Sequence, residues 1–323
     1  MSYSTMRHGA LALVAIVCVA LVTPAFANHG PGTSGGGSST ASGETLKPGT
    51  FDLDLRIDYT KFEDISRSGA ERRALNSGEF DGLDDAKITS VSLAYGLFEN
   101  FQVSAQMGYY WGNDFIDAES DDGDVESSTA DPNGVTDLAL NVKYRLLQGA
   151  PGNVSVIAGL ILPTGRDDVR LGNGEFLEPS SQPGSGAVAY QLGLAYSRFL
   201  TSRITIDASG IYTFRNEHQG FEVGDRADLG VALAYRLTPS IQTFPNFSVF
   251  LENTAVWLGK DQENGEENPN SGGWTWYMTP GIRVRFNKNI ALTLAPSAPI
   301  VQDLNGDQIE ARFKLSATLS FSF

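Results

Sequence analysis

From Gly49 to its last residue the chain repeats one pattern, long stretches in which apolar and polar side chains alternate strictly. Phe51, Leu53, Leu55, Ile57 and Tyr59 are apolar, and Asp52, Asp54, Arg56, Asp58 and Thr60 between them are polar. At the far end Phe313, Leu315, Ala317, Leu319, Phe321 and Phe323 alternate with Arg312, Lys314, Ser316, Thr318, Ser320 and Ser322. A period of two is the mark of an extended strand with one greasy and one wet face. The same alternation returns at 91–97, 101–111, 138–146, 153–162, 188–198, 203–214, 227–235, 247–257, 274–284 and 290–294. Such segments run to about 10 to 14 residues, longer than ordinary soluble strands and enough to cross a bilayer when tilted.

The connections alternate as well. They are short near residues 98, 149, 201, 242 and 288, whereas 63–86, 112–134, 163–186, 215–225, 259–272 and 300–307 are mostly long and polar. Short turns at one end and long loops at the other are the habit of a transmembrane antiparallel up-and-down β-barrel, here of about 12 strands. Both chain ends then fall on the short-turn side, which requires an even strand number. Beyond residue 27 no run of 18 apolar residues occurs, so a helical membrane protein is excluded and a closed barrel is the remaining spanning structure. A mean hydropathy of -0.15 suits such a wall, since only every second strand residue must be apolar.

Residues 1–27 read as a signal peptide. Arg7 supplies the positive start, 10–22 the apolar stretch and Ala25-Phe26-Ala27 the cleavage site. Cys18, the one cysteine, lies inside it, so neither disulfides nor thiolate chemistry are expected in the exported chain. Residues 28–48, with Gly35-Gly36-Gly37-Ser38-Ser39, read as a flexible Gly/Ser-rich segment, leaving 49–323 as the barrel, addressed to the bacterial outer membrane. Aromatics in the apolar register near strand ends, among them Tyr59, Tyr109, Trp111, Tyr212, Trp257, Trp274 and Trp276, are expected to form interfacial girdles.

A family resemblance rests on Asp137-Leu138, Lys143-Tyr144-Arg145-Leu146 and Leu162-Pro163-Thr164-Gly165, and on the later Ala295-Pro296, Pro299 and Asn305-Gly306. With these motifs and a terminal Phe323 the chain resembles the MetA-pathway phenol-degradation family of outer-membrane transporters over most of its exported length. The resemblance implies a barrel that passes aromatic or other apolar compounds. A last strand ending in phenylalanine is common to outer-membrane barrels and implies recognition of Phe323 by the barrel-assembly machinery.

The polar register faces the lumen, where acidic and basic residues balance, so no single-sign selectivity ring is evident. The lumen-lining candidates are Arg56, Asp58, Asp137, Lys143, Arg145, Asp207, Arg236, Glu252, Arg283 and Arg285. Cross-strand pairs that brace the wall account for most of them, and Arg283 with Arg285 is the favoured pair for a constriction. Two prolines, Pro280 and Pro296, face each other if the turn between the tenth and eleventh strands centres on Lys288. Proline donates no N–H to a ladder, so the pair marks either a lateral portal for an apolar solute or a kink that shapes the barrel.

The net charge of -15 comes mainly from loops, above all Asp114 to Asp131 and Asp261 to Glu267. Acidic loops are usually a solvated surface, with divalent cations beside lipopolysaccharide phosphates as the alternative, and they argue against nucleic acid as a partner. Asp303-x-Asn305-x-Asp307 fails as a calcium loop because Lys314 stands at its twelfth position, so no metal centre is expected there. His218 is the one histidine in the barrel region, and no serine shares its loop, so a hydrolase is not expected. No cofactor is expected. About twelve strands give a narrow pore, which the loop 163–186, rooted at Pro163, Thr164 and Gly165, or the glycine-rich tail would close further. The expected function is passive uptake or efflux of small solutes, aromatic or hydrophobic compounds among them, in contact with outer-membrane lipid and lipopolysaccharide. The alternative is a structural or adhesive surface barrel with acidic ion-binding loops and a plugged lumen.

Overall fold

The computed structural model describes residues 36–323; the expected signal peptide and the first part of the expected tail, 28–35, lie outside the described residues. Twelve long antiparallel strands form the wall. They are β1 (Phe51–Phe62), β2 (Asp85–Phe98), β3 (Phe101–Asn113), β4 (Leu138–Leu147), β5 (Asn153–Leu162) and β6 (Ala189–Phe199). The other half comprises β7 (Ile204–Arg215), β8 (Arg226–Arg236), β9 (Asn246–Leu258), β10 (Gly273–Arg285), β11 (Ile290–Leu304) and β12 (Ala311–Ser322). Each strand pairs with its sequence neighbours, and β1 pairs with β12, so the sheet is closed. The seam runs from Asp52 opposite Ser322 to Thr60 opposite Lys314, and Phe51 and Phe323 exchange backbone hydrogen bonds at 2.7 and 3.0 Å.

The apolar register points outward. Leu55, Ile57, Val91, Leu192, Leu194, Leu229, Leu233 and Ile282 are exposed, whereas Arg56, Lys143, Asp207, Glu252 and Arg283 are buried inside. In water this would be inverted; in lipid it is the required arrangement. Aromatic contacts fall in two bands. At the long-loop end Tyr212 stacks on Trp257 at 6.2 Å and Trp257 meets Trp274 tilted at 6.5 Å, with Tyr109 against Trp111 and Tyr59 against Phe313. At the short-turn end Phe51 contacts Tyr95 and Phe323. Short and long connections alternate as the sequence predicts.

Two of the expected polar loops hold ordered structure. Between β1 and β2 lies helix α1 (Arg67–Ser77), begun by Ser66, whose hydroxyl accepts from the Gly69 N–H at 3.2 Å, and followed by the extended segment Glu79–Gly82. Between β3 and β4, Phe115–Asp121 and Asp124–Ala130 form a hairpin turning on Asp122-Gly123, both left-handed at φ 49° and 90°. Glu79–Gly82 adds to this hairpin as a third strand. Phe80, Phe115, Ile116 and Ala118 from that sheet join Ala70 and Ala74 of α1, Val169, Leu171 and Leu177 of the β5–β6 loop, and the lumen-facing Phe62, Ile88 and Tyr110. The largest apolar cluster of the described residues is therefore a cap over the long-loop mouth rather than a core within the wall.

Leu194 sits mid-strand on β6, more than half exposed, opposite Val156 and Gly210. Leu194→Arg is predicted to destabilise the barrel in lipid vesicles by about 2–4 kcal/mol, the penalty for a cation at bilayer mid-depth. Reversible denaturant unfolding measures it, and no loss of stability would contradict the outward assignment of this face.

Candidate functional site: a lumen threaded by the N-terminal segment

Residues 36–48 climb from the short-turn rim into the lumen, and the polar register of the wall holds them at almost every step. Gly49 and Thr50 pair with Gly96 at the rim. Above it, the Leu46 N–H donates to Gln102, Lys143 Nζ donates to the carbonyls of Ser42 and Glu44 at 3.0 and 3.2 Å, and Ser155 Oγ donates to the Gly43 carbonyl at 2.6 Å. The Gly43 and Ala41 N–H groups donate to Ser197 and Ser209 at 2.7 and 3.0 Å. At the top, three consecutive backbone N–H groups, of Ser38, Ser39 and Thr40, close on the carboxylate of Glu252 at 2.9, 3.0 and 2.6 Å, and the Thr40 hydroxyl adds a fourth donor at 2.6 Å. A concave run of amides around an oxyanion is a nest, here filled by a side chain of the wall. Arg56 and Arg283 complete the clasp by donating to the Ser38 and Gly37 carbonyls at 2.6 and 2.8 Å.

The expectation of a loose tail over 28–48 is therefore corrected for 36–48, which is largely buried. Glycine and serine allow this close approach: a Cβ on Gly37 would stand 2.1 Å from Glu252 Oε1, and one on Gly43 2.4 Å from the Asn153 carbonyl. The composition that suggests flexibility in solution is also what fits a strand-less segment against a wall.

The predicted lumen residues fall into three groups. Six meet the plug or its supports. Arg56 and Asp58, two residues apart on one face of β1, form a bidentate pair at 2.7 and 2.8 Å that Ser316 also joins. Lys143, Glu252 and Arg283 touch the segment directly, and Asp207 accepts from the Ser197 hydroxyl that holds Gly43. Three others lie at the short-turn rim. Arg145 ties Glu99 and Asn100, Arg236 reaches the Ser202 carbonyl, and Arg285 lies over Phe244. Arg283 and Arg285 therefore do not act as one constriction: the first holds the plug, the second the rim. Asp137 sits at the other end. One oxygen accepts from the Gly165 N–H at 2.9 Å, and the other accepts from the Ser185 N–H and hydroxyl, so it pins both roots of the β5–β6 loop. Thr164 braces the same root by accepting from the Leu138 N–H, and Pro163 precedes it. Residues the sequence reading passed over are the plug's neutral partners, Gln102, Ser155, Ser197 and Ser209, marked in the sequence only as inward-register hydroxyls and amides.

Above the plug lies a cavity of about 110 Å³, lined by charged Arg56, Asp58, Arg226 and Lys314 interleaved with apolar Ile88, Ile211, Val256 and Tyr277. Outside, Pro280 and Pro296 face away from the lumen. The β10–β11 register runs from Met278 opposite Ala298 to Ile282 opposite Leu294 with no ladder pair between them, and a bulge lies beside it at Trp276/Tyr277. Behind this gap, Thr279 and Ser297 share a hydroxyl hydrogen bond of 2.7 Å, and the Phe250 ring covers Gly281.

At the long-loop end several carboxylates are held well above their usual range. Burial, then the neighbouring Glu119 and Asp117, push Glu79 up to about 9. Burial and Glu119 push Asp117 up to about 7, and burial raises Asp261 to about 6. His218 forms a tight turn with Phe221 through paired backbone hydrogen bonds.

A closed antiparallel barrel with an apolar outer face, aromatic bands and a polar lumen is the architecture of the outer-membrane β-barrels. The profile of the family described as "Putative MetA-pathway of phenol degradation" matches residues 28–296, and the chain belongs to that family. Among solved structures the chain is similar to the COG4313 outer membrane channel from Pseudomonas putida F1, at 16% identity and a TM-score of 0.57 over 87% of this chain and 97% of that one. It is also similar to the NanC porin, at 13% identity and a TM-score of 0.45 over 83% and 98%, and to the CymD monoaromatic hydrocarbon channel, at 11% and 0.41 over 86% and 88%. These likenesses concern the fold alone. No curated protein matches the chain.

Hydrogen bonds to a charged group are worth about 1.5–3 kcal/mol each, so losing one from the nest corresponds to about 10- to 150-fold faster local opening. Glu252→Ala is predicted to accelerate amide exchange at Ser38, Ser39 and Thr40 by at least that factor while β9 stays protected. Equal protection in the variant would show that the carboxylate does not hold the plug.

Proposed function

We propose that this chain is a gated outer-membrane channel for small aromatic or apolar solutes, with the long loops outside the cell and the N-terminal segment as its inner gate. The plug carries this reading. It is held mainly by separate hydrogen bonds to the wall, with Ala41 packed against Ile157, Ala195 and Ile211, so it can leave step by step while the twelve-stranded ladder stays closed. The lumen that its departure would open is lined by charged and apolar side chains together, a lining suited to a ring with a polar substituent. Membership of a family described by phenol degradation supports an aromatic solute.

Passage is passive in this reading. Pro280 and Pro296 offer a sideways exit into the membrane for the most apolar solutes, at a place where the ladder is interrupted. A kink that only shapes the wall is the competing account of the prolines. Assembly through the terminal strand ending in Phe323, export by the leader, and contact with lipopolysaccharide belong to the same reading. A second reading, a sealed surface barrel, has its own support, because an apolar cap closes one end while the plug closes the other.

Planar-bilayer recording separates the two. The full-length exported protein is predicted to open rarely, and a variant lacking residues 36–46 to conduct continuously with a several-fold larger conductance. If both are silent although correctly folded, the sealed barrel is right. In liposomes, Pro280→Val combined with Pro296→Val should slow entry of neutral aromatics without changing ion conductance; unchanged entry removes the lateral exit and leaves the axial path.

A further inference from the structure

Beneath the cap, the segment Glu79–Gly82 and the strand Phe115–Asp121 set Glu79 directly opposite Glu119, and Asp81 directly opposite Asp117. Positions two apart on a strand share a face, so four carboxylates leave one side of this small sheet. Like charges facing each other weaken a strand pair, and here two such pairs stand in succession. The side chains have little room to turn away, because the other side of the same strands, Phe80, Ile116 and Ala118, is packed into the apolar cap. Two loops roof the acidic face. Glu178 of the β5–β6 loop stands in the field of Asp81, Glu79, Asp261 and Asp117, and Glu263 of the β9–β10 loop acts on Glu79.

A solvated surface does not describe this place. Glu79 is 4% exposed, with Oε1 lacking a hydrogen-bond partner although the Asn268 side chain also bonds its carboxylate, and Asp261 is 2% exposed, with Oδ2 likewise unpartnered while its other oxygen accepts from the Gly224 N–H and Arg215 acts on it from nearby. Among the described residues, no ion pair with lysine or arginine involves Glu79, Asp117, Glu119, Glu178 or Asp261. Buried carboxylates with unpartnered oxygens, gathered around Glu178 from separate loops, have the chemistry of a hard divalent cation site.

We propose that this chamber binds a divalent cation of the calcium type, with Glu79, Asp117 and Asp261 as ligands, and that the cation clamps the β9–β10 loop onto the hairpin. Among the described residues no three acidic groups converge to metal-bonding distance, so binding draws the loops inward. The site stands apart from the lumen, and its existence does not depend on what the barrel passes.

The test uses the full-length folded protein in detergent, stripped with a chelator and titrated calorimetrically with calcium chloride. One saturable site is expected, with a dissociation constant of about 10⁻⁴–10⁻³ M or tighter, the range of extracellular calcium modules. Glu79→Gln combined with Asp117→Asn should weaken it at least about tenfold, and the loop substitution Asp261→Asn should do so even if the double variant fails to fold. Asp121→Asn with Asp124→Asn, at the exposed hairpin tip, should leave affinity unchanged. Heat-modifiable migration on gels establishes that each barrel has folded. Absence of saturable binding, or equal affinity in the wild type, the double variant and Asp261→Asn, overturns the proposal.

Discussion

Hydrocarbon offers no partner for a backbone amide, and that single fact organises this molecule. Every strand in the wall must find both neighbours, so the sheet must close, and closure depends on the first and last strands meeting in register at Phe51 and Phe323. Once closed, the wall sorts side chains by parity: leucines and valines to lipid, charges and hydroxyls to the interior. The interior then inherits a problem of its own. A lumen rich in Arg56, Lys143, Glu252 and Arg283 needs polar partners, and the chain supplies them from its own N-terminal segment, whose amides and carbonyls match the donors and acceptors of the wall.

Apolar burial is displaced from the usual place. A soluble domain hides its greasy residues at the centre, whereas here the centre is polar and the largest apolar cluster caps the long-loop mouth, built from α1, the hairpin and the β5–β6 loop around Phe80, Phe115 and Tyr110. The two closures thus differ in kind. The inner one is mainly a set of directional hydrogen bonds, with a small apolar contact at Ala41; the outer one is a packed apolar unit with an acidic underside.

Strand number, closure and the alternation of turns and loops could all be read from periodicity, because parity along a strand is fixed by backbone geometry. Depth could not. Parity assigned Arg145, Arg236 and Arg285 to the lumen but carries no information on height, and their contacts lie at the rim. Asp137 was likewise legible as inward, but its part in pinning Gly165 to Ser185 depends on a loop returning from nearly fifty residues away in sequence. The Asp122-Gly123 hairpin was present in the sequence as a turn signal, hidden by the density of acidic residues around it. The plug was the least legible, since glycine and serine serve equally for a chain that stays loose and for one that must lie within 3 Å of a wall.

The central claim is that residues 36–48 occupy the lumen. Ser42 and Ser197 bring their hydroxyls to 3.0 Å, and the only native cysteine, Cys18, lies in the expected leader. Replacing Ser42 and Ser197 together by cysteine places two thiols where a disulfide can close without moving the backbone far. The account predicts that the pair oxidises nearly completely in the exported, membrane-embedded protein. Two free thiols that react with a water-soluble maleimide as readily as each does alone would contradict it.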